Sequence, residues 1–506
     1  MRRGLPSAAL SLLTLAACTV GPNYHLPQQA LLNQGAAQGP LLVAPGANVS
    51  ADPVPDDWWR LYDDPALTEL VDKALRANTD LRVASANLAR ARATVDEAGA
   101  AGGFSAATSA TVRRAQEAGQ AYLLNEKLPV AYEGDAGLTV SYEFDLFGKL
   151  ARGVEAARAD ADVTQAAGDL ARITVVADVV RAYAQACAAG EEMQIAERSV
   201  ALQNQSTLLA RRLRAAGRVN LSDVTRSQTQ SDTLRADLPR FVADKQAALY
   251  RLAVLTGGFP GQVPDAVAQC QRTPTLTQTI PVGDGAALLK RRPDVREAER
   301  RLALATARIG VATAALYPTI SLGASAGVTG VGRDLGRQET QRFGFGPLIS
   351  WNIPANGARA RIHEAQAGSV AALASFDGVV LKALAETDTR LGVYAGDLAR
   401  TAALQAALQS AQQTAAQTHA FYQAGRVSSL VDLDAQRTLA GAEASLATSQ
   451  AKVASDQVDL FLALGGGWQS AQSAQAQSAP AAPTEQSAQA NQAEESAQAT
   501  QAVQAR

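Results

Sequence analysis

The chain has few of the residues that form large globular cores and catalytic centres. Only 5% of its 506 residues are aromatic, and it contains three cysteines and three histidines. So low an aromatic content argues against one large globular core and favours long helices that pack through small residues. The formal net charge is −2 and the basic residues are dispersed, which argues against nucleic acid as a partner.

Motifs of enzymes and of metal or phosphate sites are missing as well. Gly323–Gly327 matches the G-x-S-x-G pattern of hydrolases, but Ser325 lies inside an alternating strand pattern instead of a sharp strand-to-helix turn. His363 and Glu364 lack the second histidine of a zinc-protease motif. The sequence therefore predicts no enzyme and no cofactor or metal site.

After its N-terminus the chain also lacks any run of 18 or more apolar residues. On that ground we expect no membrane-spanning helix. Strands of a closed barrel would then have to make any crossing of a bilayer.

The first residues have the form of an export signal, which we assign to residues 1–17. Arg2 and Arg3 precede an apolar stretch, and Leu15–Cys18 matches the motif at which bacterial lipoproteins are cleaved. We expect the mature chain to begin at Cys18 and to be anchored in the outer membrane by acyl chains on its sulfur and nitrogen. The alternative is an ordinary cleavage site beside an incidental cysteine.

Most of the remaining chain is one unit of about 200 residues that occurs twice. Ala216–Val219 recurs as Ala424–Val427, and Ser141–Gly148 recurs as Ser350–Gly357. So long a period is unlike that of solenoid repeats and indicates a fused pair of subunits. The predicted divisions are an N-terminal anchor and linker (18–63), a first repeat (64–256), a Pro- and Gly-rich linker (257–285), a second repeat (286–467) and a disordered Gln/Ala/Ser-rich tail (468–506).

Each repeat is predicted to contain a helix, two strands and a pair of long helices. The strands alternate polar and apolar residues over about 10 positions, the length that crosses a bilayer at a tilt; two soluble hairpins of a sandwich are the alternative. The long helices carry small apolar residues at coiled-coil spacing, and Gly190 is a candidate break in the first of them. The predicted ranges are, in the first repeat, a helix from Pro65 to Gly99, strands 104–113 and 136–145 and helices 149–216 and 222–256, and in the second repeat, strands 319–329 and 342–353 and helices 358–424 and 429–464.

Helix lengths bear on the two remaining cysteines. Cys187 lies about 44 Å before the turn at Gly217, and a return helix of about 57 Å leads back to the linker that contains Cys270. The two cysteines would therefore lie at similar heights. We predict a Cys187–Cys270 disulfide, which the oxidising periplasm permits; two free buried thiols are the alternative.

Several linked motifs together resemble those of the outer membrane factor family, the TolC-like efflux channels, and most closely its NodT-type lipoprotein branch. The motifs are the start Cys18–Tyr24, the Trp58–Trp59 pair, the strand-to-helix passage Ser141–Gly148, Arg292–Arg296 with Ala315–Pro318, and Val431–Arg437. The resemblance runs from Cys18 to about Gly467. It implies an α+β membrane protein in which four β-strands per chain contribute to a trimeric 12-stranded outer-membrane β-barrel, continuous with a periplasmic α-helical coiled-coil tunnel.

The resemblance also implies partners. Four strands are too few to close a barrel, so the sequence by itself requires some assembly, and the family implies a homotrimer in outer-membrane lipid. It further implies a periplasmic adaptor protein and an inner-membrane efflux transporter, which would supply the energy that this chain has no site to supply.

The family's tunnel closes where its helix pairs turn, which assigns roles to residues near the two turns. Asp434 falls on the constricting aspartate of the family, Asp432 is shifted from the usual second acid, and Asp223 is the weaker candidate in the first repeat. For Asp432 and Asp434 the alternative is that they simply complement the helix N-terminus. The residues that would meet the adaptor are Gly217, Arg218, Gly425 and Arg426, for which turn chemistry and solvated charge are the alternative.

We therefore predict an outer-membrane channel, the exit duct of a tripartite efflux system that passively conducts drugs or other small molecules. The alternative is a non-conducting outer-membrane lipoprotein scaffold with periplasmic coiled coils. Such a scaffold does not need four bilayer-length amphipathic strands, so the strands discriminate between the two hypotheses. A secreted enzyme is disfavoured by the lack of any catalytic constellation.

Overall fold

The computed structural model describes residues 19–42, 48–276, 278–353 and 357–466. The expected signal peptide (1–17), the expected lipidation site Cys18 and the C-terminal tail (468–506) lie outside the described residues.

Both repeats have the same order of main elements: two helices, two strands and two longer helices. The first repeat consists of α1 (Pro65–Ala77), α2 (Thr79–Ala100), β1 (Phe104–Ala115), β2 (Ala131–Phe144), α3 (Lys149–Ala215) and α4 (Leu221–Leu255). The second consists of α5 (Gly285–Arg291), α6 (Pro293–Ala314), β3 (Thr319–Val331), β4 (Gln341–Ser350), α7 (Ala358–Gln423) and α8 (Ser429–Ala463). Since a helix rises 1.5 Å per residue, α3 and α7 are each about 100 Å long.

The first helix of the first repeat is divided, where the sequence predicts one helix from Pro65 to Gly99. The side-chain oxygen of Asn78 accepts hydrogen bonds from the backbone N–H groups of Asp80 (2.8 Å) and Leu81 (3.2 Å). Asn78 is therefore the N-cap of α2, and a capping residue requires a non-helical backbone at its own position. Periodicity alone does not reveal such an interruption, because the apolar pattern continues on both sides of it.

The strands also differ from their predicted bounds. β1 and β2 pair as far as Ala115 and Ala131, so the loop between them is shorter than the polar residues suggest. An ion pair between Arg113 and Glu133 (3.0 Å) joins these outer ends. β4 ends at Ser350 instead of residue 353, because its partner strand β3 begins opposite that residue.

The four strands form one antiparallel sheet in the order β1-β2-β3-β4, with different chemistry on its two faces. On one face small polar residues oppose each other, as Thr139 opposes Ser325. On the other face large apolar side chains remain exposed, including Phe343 (92%) and Phe345 (77%). Among the described residues the outer edges of β1 and β4 have no partner strand, so both edges and the apolar face need cover from outside the chain.

The polar face of the sheet is crossed by a long ionic contact. From β4, the guanidinium of Arg342 reaches over β3 to the carboxylate of Asp135 on β2, with Nη2–Oδ2 at 2.9 Å. Gly137 makes this possible, since a Cβ there would lie 3.0 Å from Nη2 of that guanidinium. One charged pair thereby ties three strands together on the polar face.

One helix in the described part of the chain, α7, is long and apolar enough on average to cross a membrane. Its 18-residue window has a mean hydropathy of 1.4, and only 17% of that window is buried in the chain. The expectation of no such helix is therefore wrong as a statement about length and average composition, because it counted only uninterrupted apolar runs. At about 100 Å, however, α7 is over three times as long as a bilayer core is thick.

The main hydrophobic core lies where the two repeats meet, between the middle parts of α3 and α7 and the C-terminal ends of α4 and α8. Trp58 stacks on Phe461 with ring centroids 4.5 Å apart, and both are buried. A side chain from the start of the second repeat caps the C-terminal end of α8: Arg292 Nη1 donates to Ala463 O (2.7 Å). Asn78 does the same for α4 by donating to Leu255 O (3.0 Å). The C-termini of both return helices are therefore fixed to the first helices of their repeats.

The N-terminal segment runs along the helices and begins at the junction of sheet and helices. The backbone N–H of Val20 donates to Phe147 O (3.1 Å), and Tyr24 Oη donates to Glu299 (2.9 Å). A Cβ at Gly148 would lie 2.8 Å from Thr19 Cα, so that glycine admits the segment. Thr19 is thus held close to the point where β2 passes into α3.

Candidate functional site at the helical turns

The two long helix pairs end in turns of the same construction. Gly217 and Gly425 both have positive φ angles, +71° and +69°, a conformation that glycine adopts without the penalty paid by other residues. The N–H of Arg218 donates to Leu213 O (2.9 Å), and that of Arg426 donates to Phe421 O (2.8 Å). This is the Schellman pattern that ends many helices, so turn chemistry accounts for both glycines.

The turns place their arginines in solvent. Arg218 and Arg426 are both exposed, and neither side chain makes a hydrogen bond or ion pair to a described residue. Gly217, Arg218, Gly425 and Arg426, the four residues that the resemblance assigned to adaptor contact, therefore all lie in the turns. Of these, the two arginines present charged side chains that no described residue pairs with.

Asp432 and Asp434, assigned together to the gate, have different surroundings. Asp432 is 5% exposed; Nδ1 of His419 lies 3.2 Å from its Oδ2, and Gln436 Nε2 donates to the same oxygen (3.1 Å). Asp434 is exposed, and its carboxylate makes no hydrogen bond to any residue that the structure describes. Because residues two apart on a helix lie on nearly opposite sides, Asp434 points away from the contact between α7 and α8.

Asp223 in the first repeat has a local structural role. Its Oδ2 accepts a hydrogen bond from the backbone N–H of Asn220 (3.2 Å), and the Asn220 side chain caps the helix in return. This reciprocal arrangement is a capping box at the start of α4. The position that corresponds to Asp434, 208 residues earlier, is occupied by Arg226, so the first repeat has no second copy of the exposed carboxylate.

The two helix pairs are held together differently just above their turns. In the first pair, Gln203 Nε2 donates to Ser227 O (3.0 Å) and Thr207 Oγ1 lies 2.9 Å from Ser227 Oγ. The corresponding residues of the second pair, 208 positions later, include Ala411 and Ala415. There the contact between His419 and Asp432 is the polar link, which sequence reasoning missed. The two residues lie at similar distances on either side of Gly425, and that symmetry was the available signal.

A second acidic cluster lies midway along the second helix pair. Lys452 contacts both Asp397 (3.4 Å) and Asp456, and Asp456 is 2% exposed. Burial raises the pKa of Asp456 to about 6; the Lys452 bond opposes this shift and neighbouring Asp397 adds to it. The pKa of Asp397 is lowered, chiefly by the hydrogen bond that it receives from Asp456. Protonation of this pair therefore changes in mildly acidic solution.

Cys187 and Cys270 are bonded to each other in the structure and join α3 to the linker between the repeats. Gly190, one turn further along α3, does not break the helix. A Cβ at this position would lie 2.3 Å from the carbonyl oxygen of Cys270. The glycine therefore allows the linker backbone to lie directly on the helix.

Comparison with known proteins places the chain among bacterial efflux channels. A family described as "Outer membrane efflux protein" matches residues 70–258 and 286–466. Nodulation protein T of Rhizobium leguminosarum bv. trifolii is 28% identical over 463 residues, covering 90% of this chain and 96% of that protein. Outer membrane protein OprJ of Pseudomonas aeruginosa is 31% identical over 475 residues, covering 92% of this chain and 96% of that protein. The solved structure of the outer-membrane channel OprN has a TM-score of 0.79 and 32% identity, and the match covers 89% of this chain and all of that one.

Proposed function

The chain belongs to the outer membrane efflux protein family, and from this premise we propose that its helical turns form the gated inner end of an export channel. Four strands of each chain contribute to the 12-stranded barrel of a trimeric outer-membrane channel, and the long helices continue it as a tunnel. The channel is the exit duct of an efflux system. An inner-membrane transporter and an adaptor supply it, and outer-membrane lipid surrounds its barrel. The chain carries out no catalysis, uses no cofactor and binds no nucleic acid.

The single observation that carries this function is the two-faced sheet. Its apolar face leaves large side chains such as Phe104 (81%) and Phe343 (92%) exposed, as lipid-facing residues of barrels are. Its opposite face is lined by small and polar residues, as expected for a water-filled lumen. A scaffold that does not conduct has no use for the polar face.

We assign the gate to Asp434. Its carboxylate is exposed and makes no bond within the described part of the chain, whereas that of Asp432 is engaged by His419 and Gln436. In a trimer, three copies of Asp434 near the axis would present three negative charges in a narrow opening. Such a ring repels itself, attracts cations and restricts the passage of anions. Asp432 then acts indirectly, by joining α8 to α7 close to the gate.

Single-channel conductance in planar bilayers tests this proposal. The trimers to compare are wild type, Asp434→Asn and a matched control, Asp237→Asn, which removes an exposed carboxylate about 24 Å along α4 from its start. We expect small, cation-preferring steps for wild type and control, and larger, less selective steps for Asp434→Asn. Equal conductance steps in all three trimers would support the channel but refute the assignment of the gate to Asp434. Silence from all three, with trimers shown to be inserted, would favour the scaffold.

The membrane anchor is proposed to be Cys18. The next residue, Thr19, is held against Gly148 at the sheet–helix junction, and this position supports an acyl anchor at the level where the barrel enters the bilayer. Incorporation of a labelled fatty acid that is lost in Cys18→Ala is the expected result, and absence of label from the wild-type protein would contradict it.

A further inference from the structure

The two turns share a backbone but present different surfaces. Around the first turn, residues 208–226 contain five arginines and one acidic residue, Asp223. Around the second, residues 416–434 contain one arginine, Arg426, and two aspartates. The arginines of the first turn are Arg211, Arg212, Arg214, Arg218 and Arg226.

The second turn exposes more large apolar side chains than the first, where those exposed are Leu208 (50%) and Leu221 (53%). Phe421 (46%), Leu430 (64%) and Val431 (49%) leave much of their surface in solvent beside Gly425. Tyr422, which is 42% exposed, occupies the position that corresponds to Arg214. Exposed apolar side chains grouped in this way mark a surface that another protein covers.

Closing the first turn does not require its arginines. Basic residues in the last turn of a helix can serve the helix dipole, and Arg212 and Arg214 lie in the last turn of α3. The last turn of α7 has no basic residue, yet the second turn closes with the same hydrogen bond, from Arg426 N–H to Phe421 O, as the first does from Arg218 N–H to Leu213 O. Comparison of the two repeats therefore shows that the arginines are not needed to form the turn.

The first turn's charge is also largely uncompensated. Arg211 donates to Gln228 (2.7 Å), and Arg226 lies 4.0 Å from Asp223 while remaining 82% exposed. For Arg212 and Arg214 no side-chain hydrogen bond or ion pair occurs within the described residues, and both are exposed. An uncompensated group of guanidinium groups attracts a surface that presents carboxylates.

We propose that the two turns are two different docking surfaces for the periplasmic adaptor: the first binds carboxylates of the adaptor, and the second is covered by apolar side chains. This inference rests on the proposed function, because it takes the adaptor to meet this end of the helices. In a trimer the cationic and apolar turns alternate around the end of the tunnel. An adaptor assembly whose acidic and apolar surfaces alternate in the same order would dock in one rotational position. If it were rotated by one turn, its carboxylates would face the exposed aromatic side chains of the second turn.

The test uses full-length trimers in detergent and synthetic two-helix peptides closed by a disulfide. One peptide carries four glutamates around its turn, and a matched peptide carries four glutamines. Binding is measured by surface plasmon resonance for wild type, for Arg212→Gln/Arg214→Gln, and for a control pair, Arg235→Gln/Arg240→Gln. The control removes two arginines that are 56% and 69% exposed on α4, away from the turn. Thermal melts confirm that all three trimers remain assembled.

We expect the glutamate peptide to bind wild type and control more tightly than the glutamine peptide does, with an affinity that falls as salt is added. The Arg212→Gln/Arg214→Gln trimer should lose about 2- to 30-fold of that affinity, the range for two exposed ion pairs. Equal binding of the two peptides to wild type, or an equal loss in the control, would overturn the proposal. An equal loss of binding to phosphatidylglycerol vesicles in the Arg212→Gln/Arg214→Gln trimer would also overturn it, because the turn would then recognise anionic surfaces in general.

The conductance of the same trimers keeps this inference separate from the proposed function. Substitution of the two arginines should leave the wild-type steps unchanged, since neither residue is assigned to the gate. A trimer that binds the glutamate peptide selectively but never conducts would refute the channel and leave the charge preference intact. A conducting trimer with no peptide preference would refute the docking surface alone.

Discussion

Substituting alanine for Gly190 should loosen the linker between the repeats. A Cβ at this position would lie 2.3 Å from the carbonyl oxygen of Cys270 and 3.3 Å from Nζ of Lys245. Real Cβ atoms do not approach backbone atoms so closely, so the linker or the helix must move. The linker has little freedom to move, because Cys270 is bonded to Cys187 on the same helix.

The magnitude follows from three contributions. Overpacking of a close contact costs about 1–3 kcal/mol. The hydrogen bond from Lys245 to Cys270 O, at 3.4 Å, would be lost at a cost of about 1 kcal/mol. Alanine is a better helix former than glycine by about 1 kcal/mol, which offsets part of the loss. The net destabilisation of the docked linker is about 1–3 kcal/mol.

Hydrogen exchange of residues 260–276, read by mass spectrometry, is the suitable assay because it reports local opening. A loss of about 1–3 kcal/mol should speed exchange by about 5- to 150-fold. Gly168→Ala in the same helix is the matched control, since its nearest atom outside the helix backbone is 3.9 Å away. Here only the gain in helix propensity should remain, and α3 should be stabilised by about 1 kcal/mol.

The disulfide supplies a second check on the reasoning. In a Cys187→Ala/Cys270→Ala background the linker can lift off the helix, so Gly190→Ala should cost less than in wild type. The difference is a coupling energy of the kind that residues in contact show. Linker exchange in Gly190→Ala as slow as in Gly168→Ala would refute the close approach of linker and helix.

Three further results are expected. The pKa of Asp456 is about 6 in the folded state, above its value in the unfolded chain, so ionised Asp456 destabilises the fold by up to about 3 kcal/mol. Wild type should therefore gain local stability as the pH falls from 7.5 to 5, and Asp456→Asn should remove that gain. Hydrogen exchange of residues 450–460 at both pH values measures this, and a wild type whose exchange shows no change in stability would contradict it. His419→Ala should speed exchange of residues 426–436 about tenfold or more, since it removes a partner of the buried Asp432, and unchanged exchange would show that the contact does not hold the helices together. Peptide mapping without reduction should recover Cys187 joined to Cys270, a link across 83 residues that contributes about 4–5 kcal/mol by loop closure; finding both thiols free would refute the pairing.

The architecture could be predicted from the sequence because it depends on features that span many residues. Duplication, strand alternation and helix length each average over ten positions or more, and the family and solved-structure comparisons confirm the fold and function that they indicated. The turns were also recognisable, because a positive φ angle restricts the residue type and Gly217 and Gly425 stand in identical four-residue sequences.

Features set by single contacts were not recognisable. Asn78 interrupts a helix by capping the next one, and Arg113 extends a strand by pairing with Glu133, although neither changes the apolar period. Gly190 looked like a helix breaker, yet it makes room for a segment 80 residues away in the chain. Such contacts depend on tertiary proximity, which composition and periodicity do not report.

Cysteine accessibility in single channels tests the central claim, that the polar face of the sheet lines a conducting lumen. Thr139 lies on that face, opposite Ser325, and its neighbour Leu138 lies on the apolar face and is 45% exposed. Trimers with Thr139→Cys and with Leu138→Cys would be treated, during recording, with a charged thiol reagent that does not enter lipid. We predict that current through the Thr139→Cys trimer falls in up to three steps, one per chain, and that current through the Leu138→Cys trimer does not change. Reduced current in the Leu138→Cys trimer alone, or no current in either trimer, would contradict the account.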